Sequence, residues 1–224
     1  KVQALREEMG LNRPLPQRYG QWVTDFLKGD MGTSYYYQEP VSKMIGDKIP
    51  ITIAMTVIAF VFILLLTVPV SLLSVRYENR FVDRFFIIFN QITMSIPPFF
   101  IGIIFTVLFG LTFHFFTPGD YISYTESMSG FIGYLILPSL AIALPKAAMT
   151  IKMFRNSLIT EMHQDYVRTA FSRGNSPWRV LICHAFRNGI LPVITFLGVA
   201  IADIIANSIV IEQVFGIPGM GRTL

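Results

Sequence analysis

The sequence predicts an all-α fold, a polytopic membrane helical bundle, and three observations lead there. Of 224 residues, 53% are hydrophobic and only 14% charged, with a mean hydropathy of +0.54, far from the balance of an ordinary soluble domain. Apolar stretches long enough to cross a hydrocarbon core of about 30 Å recur along the chain. The positive residues gather beside those stretches instead of forming one basic face, which argues against a nucleic-acid partner despite a formal net charge of +4. A single cysteine, Cys183, excludes an internal disulfide and any cysteine-based metal cluster.

Residues 1–49 are expected to form a small folded cap outside the bilayer. Helix-like pieces, Val2 to Met9 and Tyr19 to Lys28, alternate there with Pro14, Pro16, Gly29, Gly32 and Pro40. Trp22, Phe26, Tyr35, Tyr36 and Tyr37 offer more aromatic surface than a disordered tail carries. Residues 50–224 form the transmembrane domain, with four spans. The first, Ile51 to Leu73, is apolar and uncharged, and the arginines that follow it, Arg76, Arg80 and Arg84, place that turn in the cytoplasm. The second stretch, Phe85 to Phe116, is too long for one straight crossing and carries Pro97 and Pro98, which predict a bend or break. Backbone groups freed by a break are tolerated at membrane depth only under cover of protein or a water-filled cavity. The polar run Asn90, Gln91, Thr93 and Ser95 is therefore expected to face inward.

Residues 117–129 are polar, with Asp120 and Glu126 and no positive residue, as expected outside the membrane. A third span runs from Phe131 to about Met153 through Pro138 and Pro145, and a fourth from Ile190 to about Ile211. The chain opens on Lys1 and ends just after a Gly- and Pro-rich turn, so further spans are expected at both ends of what is seen.

Between the last two spans lies a short polar insert, Asp165 to Pro192, that reads as helix, break, helix. Gly174 can take positive φ and end a helix running through Ala170. Ser176 is a good N-cap, and Pro177 suits the first position of the next helix. Lys152, Arg155, Arg168, Arg173, Arg179 and Arg187 lie in and beside this elbow against Glu161 and Asp165, which puts it on the cytoplasmic side.

Polar residues inside spans carry more information than surface ones, because a charge at the bilayer centre is unfavourable. Asp203, with Asn207 and Ser208 at nearby helical spacing, should face the bundle interior, lining a solute path or making an interhelical hydrogen bond. Gln91 and Ser95 share a face and could line the same path. Lys146, after Pro145, either snorkels toward the cytoplasmic interface or pairs with an acid such as Asp203. His114 reads as interfacial. Glu212, at the outer end of the last span, bonds to the final turn or serves as a gate.

The elbow resembles the cytoplasmic EAA-type loop of permease subunits of ATP-binding cassette importers: Arg168-Thr169-Ala170 stands at the first triplet, Gly174 at the glycine and Gly189-Ile190-Leu191-Pro192 at the ending. The Glu and first Ala of that pattern are absent. The stretch Leu5 to Pro16, Gly29-Asp-Met-Gly-Thr-Ser34, Pro40-Val41 and the segment Glu212 to Arg222 are similar to the dipeptide, oligopeptide and nickel permease family, in which the Asp-Tyr-Val-Arg-Thr-Ala form of the loop is usual. The resemblance covers nearly the whole chain. It implies the partner with the large extracytoplasmic N-terminal cap, in the bacterial plasma (inner) membrane, working with a second permease subunit, two ATPase subunits and an extracytoplasmic solute-binding protein. The solute would be a peptide, nickel or another metal chelate.

No Gly-x-x-x-x-Gly-Lys-Ser/Thr sequence occurs, so ATP and Mg are expected on the partner subunits and no cofactor on this chain. The helix of about Asp165 to Arg173 is the expected coupling element: Tyr166 and Phe171 as apolar anchors, Asp165, Arg168 and Arg173 for orientation, with Thr169, Ala170 and Gly174 in the same segment. The arginines equally satisfy the positive-inside bias. An intramembrane enzyme would want a nucleophile and base, or a His-Glu-x-x-His cluster, at membrane depth, and none is visible. A channel or an ion-gradient carrier fits the spans but leaves the elbow without a task.

Overall fold

The computed structural model describes residues 14–114 and 117–222, and divides them between two units, Lys1–Ile49 and Pro50–Leu224. In the first unit, Pro14 precedes helix α1, Leu15–Leu27. Positive φ at Gly29 and Gly32 turns the chain into a short loop closed by a bridge between Thr33 and Pro40. None of the described residues 14–49 is buried. The aromatic residues of this unit lie on its surface. Tyr19, Trp22 and Phe26 stack along one face of α1, with ring centroids 6.2 and 5.6 Å apart. Three to four residues separate them, so they share a side of the helix without enclosing an interior. The expected helix from Val2 to Met9 lies outside the described residues.

Helix α2, Val41–Arg76, begins earlier than the apolar run that foretold it, because the carbonyl of Pro40 already accepts from the amides of Lys43 and Met44. Within the second unit its inward stripe is rich in small and polar residues: Thr52, Thr56, Ala59, Thr67, Ser71 and Ser74. Such a stripe allows close backbone approach. Opposite it runs α5, Met128–Met162, capped by Ser127 and carrying Pro138 and Pro145 inside. Ser139 Oγ donates to the carbonyl of Met55 (3.1 Å), and Ser71 Oγ to that of Ile151 (3.4 Å).

Between them in sequence, α3 (Phe81–Ser95) and α4 (Pro98–Phe105) meet at 98°, with Ile96 and Pro97 extended and Pro98 opening the new helix. The second arm widens to a π-helix over Thr106–Thr112. Of the described helices, α2, α5 and α9 (Leu191–Phe215) are each long and apolar enough to cross a membrane, and the bent pair makes a fourth span if counted as one. The protein is thus an all-α, multi-pass membrane bundle.

At the end of α9 the chain turns through Gly216, at φ +69°, into a 3₁₀ turn, Met220–Arg222. Glu212 is fully buried beneath this turn. Its Oε1 accepts from Thr52 Oγ1 (2.8 Å) and its Oε2 from the amide of Gly221 (2.6 Å). A Cβ on Gly219 would collide with the carboxylate of Glu212, so only glycine admits it. Of the two roles open to Glu212, the bond to the final turn is what the geometry holds. Replacing Glu212 with Ala strands a hydroxyl and an amide. The loss should be about 3 kcal/mol, with a smaller loss for Glu212→Gln, which can still accept one of the two bonds; thermal unfolding in detergent measures both.

Candidate functional site

The elbow is built by local chemistry. Helix α6, Asp165–Ser172, ends as Gly174 takes φ +79°. The amide of Gly174 bonds the carbonyl of Phe171 (2.9 Å), and that of Asn175 bonds the carbonyl of Ala170 (3.4 Å), the paired bonds of a Schellman ending. Asn175 Nδ2 bonds the same Ala170 carbonyl at 2.9 Å. Ser176 Oγ then accepts from the Arg179 amide, and Pro177 opens α7, Pro177–Val180. A π-helical turn, Leu181–Ala185, and α8, Phe186–Gly189, carry the chain on to α9.

One face of α6 is fixed: Val167 and Ala170 are buried against Val180, with Met162 beside them. Ala170 therefore braces the elbow from inside and offers no surface to a partner, contrary to its place in the expected coupling set. The other face is open. Tyr166 is 36% and Phe171 40% exposed, and Asp165, Arg168, Thr169, Arg173 and Gly174 are exposed beside them. Asp165 and Arg168 approach to 3.5 Å with both side chains in solvent, so the pair contributes little. Tyr166 donates to Glu161 Oε2, and burial together with that carboxylate raises its phenol above the ordinary value.

The elbow is anchored on α5. Ser157 Oγ donates to the Gly189 carbonyl (2.8 Å), and the rings of Phe154 and Phe186 meet edge to face at 5.4 Å. A Cβ on Gly189 would come within 2.9 Å of Leu158 Cδ2.

Further along α5, the break between α3 and α4 opens onto a cavity of about 280 Å³, lined by Ser95, Pro97, Pro145, Lys146, Met149 and Asn207 among others. The prolines of the break, Pro97 and Pro98, both line this cavity, the kind of cover that freed backbone groups need at membrane depth. Lys146 Nζ lies 2.6 Å from Asp203 Oδ2, so pairing, and not snorkelling, is its fate here. Asn207 Nδ2 bonds the Asp203 carbonyl (2.7 Å). Ser95, Asn207, Asp203 and Lys146 are thus brought together.

Gln91 is not among them. It lines a neighbouring cavity of about 120 Å³ with Asn90, Met94, Lys152, Arg155 and Asn156, and Met94 borders both. The polar run of α3 is split: Asn90 and Thr93 are buried beside α5, whereas Gln91 and Ser95 lie on an exposed face, joined by the bond from Ser95 Oγ to the Gln91 carbonyl.

Sequence reasoning missed Asp83. Almost wholly buried, it accepts both Nε and Nη2 of Arg155 at 2.7 Å, with Ser74 Oγ and the Asn79 amide as further donors. An acid inside an arginine-rich turn was the available signal. Arg155, read as one of the basic residues that set sidedness, is held in a bidentate clasp.

The comparisons with known proteins agree with this architecture. Residues 67–224 match the family described as binding-protein-dependent transport system inner membrane component. Over 223 residues, all of this chain and 71% of the relative, the chain is 33% identical to a putative peptide transport system permease protein of Brucella abortus. It is 32% identical to the oligopeptide transport system permease protein AppB of Bacillus subtilis, over 96% of this chain and 69% of that one. To the probable D,D-dipeptide transport system permease protein DdpB of Escherichia coli it is 29% identical, over 98% and 71%.

Gly189→Val should push α8 off Leu158 and cost about 1–3 kcal/mol of stability. Thermal unfolding reads that loss, and faster amide exchange across 177–189 locates it.

Proposed function

This chain belongs to the family of binding-protein-dependent transport system inner membrane components, as a permease subunit of an ATP-binding cassette importer, and from that premise we propose that it forms part of a peptide path and is driven through its elbow. It is a transport subunit and not an enzyme. The observation that carries the choice of solute is the likeness, along the whole chain, to permeases named for peptides, oligopeptides and D,D-dipeptides. Of the solutes the sequence left open, peptides are preferred to nickel or a metal chelate.

The partners on this reading are a second permease subunit, two ATPase subunits carrying ATP and Mg, and a solute-binding protein on the outer face of a bacterial plasma membrane. The exposed side of α6, with Tyr166 and Phe171 as anchors and Asp165, Arg168, Thr169 and Arg173 around them, fits a groove on an ATPase. Aromatic anchors ringed by charge are the usual make-up of a docking surface. Ala170 and Gly174 keep that surface rigid. When the ATPases close and open, α6 moves with them, and α8 carries the motion to α5 and the cavity beside Asp203. Ser95, Asn207 and Asp203 line the path, with Gln91 in the adjoining pocket.

Gly174→Ile tests the elbow. A β-branched residue at positive φ is strained by roughly 1–2 kcal/mol, so α6 should lose its fixed ending. In an assembled complex reconstituted in vesicles, peptide uptake per ATP hydrolysed is expected to fall roughly tenfold, the equivalent of about 1.4 kcal/mol. Unchanged coupling in a normally assembled complex would overturn the role given to the elbow.

A further inference from the structure

The acids carried by the bundle helices are of two kinds. Asp83 and Glu212 are buried and saturated, each carboxylate accepting from at least two donors. Asp203 differs. Its side chain is 52% exposed, and among the described residues its carboxylate holds one bond alone, to Lys146 Nζ. Lys146 is 17% exposed, has no second partner for its ammonium among the described residues, and lines the cavity with Ser95 and Asn207. Fixed pairs are over-bonded, and this one is held at a single point.

Both charges sit within helices long and apolar enough to cross a membrane, and Lys146 is largely buried, so separating the pair leaves that ammonium without a partner among the described residues. The pair can part only if other charges take the vacated places. A solute bearing one sign would satisfy one side chain and strand the other. A solute bearing both, with an ammonium for Asp203 and a carboxylate for Lys146, satisfies the two at once.

We propose that Lys146 and Asp203 form an exchangeable ion-pair lock on the path, closed when the permease is empty and opened by a zwitterionic solute, namely a short peptide with both termini free. The lock rests on the reading of this cavity as part of a peptide path. It adds a selectivity step inside the membrane, beyond any made by the binding protein, and it closes the empty path to simple ions.

The complete importer, reconstituted in vesicles with its binding protein and ATP, is assayed for uptake of dialanine. Uptake by the unaltered complex tests the peptide reading by itself; if there is none, that reading falls and the lock falls with it. Lys146→Met combined with Asp203→Leu replaces the ion pair by an apolar one of similar bulk, a change that folded proteins often tolerate. This variant is expected to assemble and to lose roughly tenfold to a hundredfold in uptake, the range for a lost bond to a charged group. Lys146→Asp combined with Asp203→Lys still presents one charge of each sign and should keep most of the uptake. Undiminished uptake by the apolar pair overturns the lock, and so does a swapped pair as inactive as the apolar one. Failure of both variants to assemble overturns it as well, since the pair would then be a structural brace.

Discussion

Hydrocarbon offers no partner to a polar atom, so every polar group within these helices must be answered by the chain itself or by a cavity. Helix α5 carries several of the ties between helices. Near one end Tyr134 donates its hydroxyl proton to the Phe215 carbonyl and accepts from the Gly119 amide. Midway Lys146 meets Asp203, and toward the elbow Arg155 clasps Asp83. Tyr134 and Arg155 are separated along the helix by roughly 30 Å at 1.5 Å per residue, close to the thickness of the apolar layer. Three polar ties thus stand along one helix, spaced over a length comparable to that layer. Packing of α2, α3 and α9 around α5 follows from where those ties can be made.

The same helix joins the elbow to the cavity. Met162 underlies Val167 and Ala170, and Ser157 and Leu158 hold Gly189. Lys152, Met149 and Lys146 then lead along α5 past both cavities. Close packing transmits a displacement because it leaves no free volume to absorb one. On the proposed reading, a push on α6 reaches Lys146 through side chains already in contact, without any change in secondary structure.

The elbow was legible residue by residue because its determinants are local: positive φ at Gly174, a hydroxyl cap from Ser176, a proline where no amide proton is needed. The break at Pro97 and Pro98 was legible for the same reason. What depends on the rotation of one helix against another was not. Spacing put Gln91 and Ser95 on one face, yet nothing in α3 alone says that this is the open face and that Asn90 and Thr93 turn toward α5. The partner of Arg155 was hidden because Asp83 and Arg155 are 72 positions apart. Nor does composition say whether the aromatics of residues 14–49 are enclosed: it reports how much apolar surface exists, and here that surface is open.

Three or four spans and a polar cavity suit a channel or a gradient-driven carrier as well as an importer subunit; the family decides for the importer, and the elbow is the feature that only the importer reading uses. A loop serving only to reverse the chain needs no paired C-terminal bonds, no side-chain cap and no buried Val167 and Ala170 beneath it. These features stiffen α6 while Tyr166 and Phe171 stand partly exposed on its outer side. Exposed aromatic rings held on a rigid support are unfavourable in water unless something covers them. On the proposed reading, a motor subunit seated on that face supplies the cover and gives the rigidity its purpose, since a flexible loop would yield to the stroke it has to pass on.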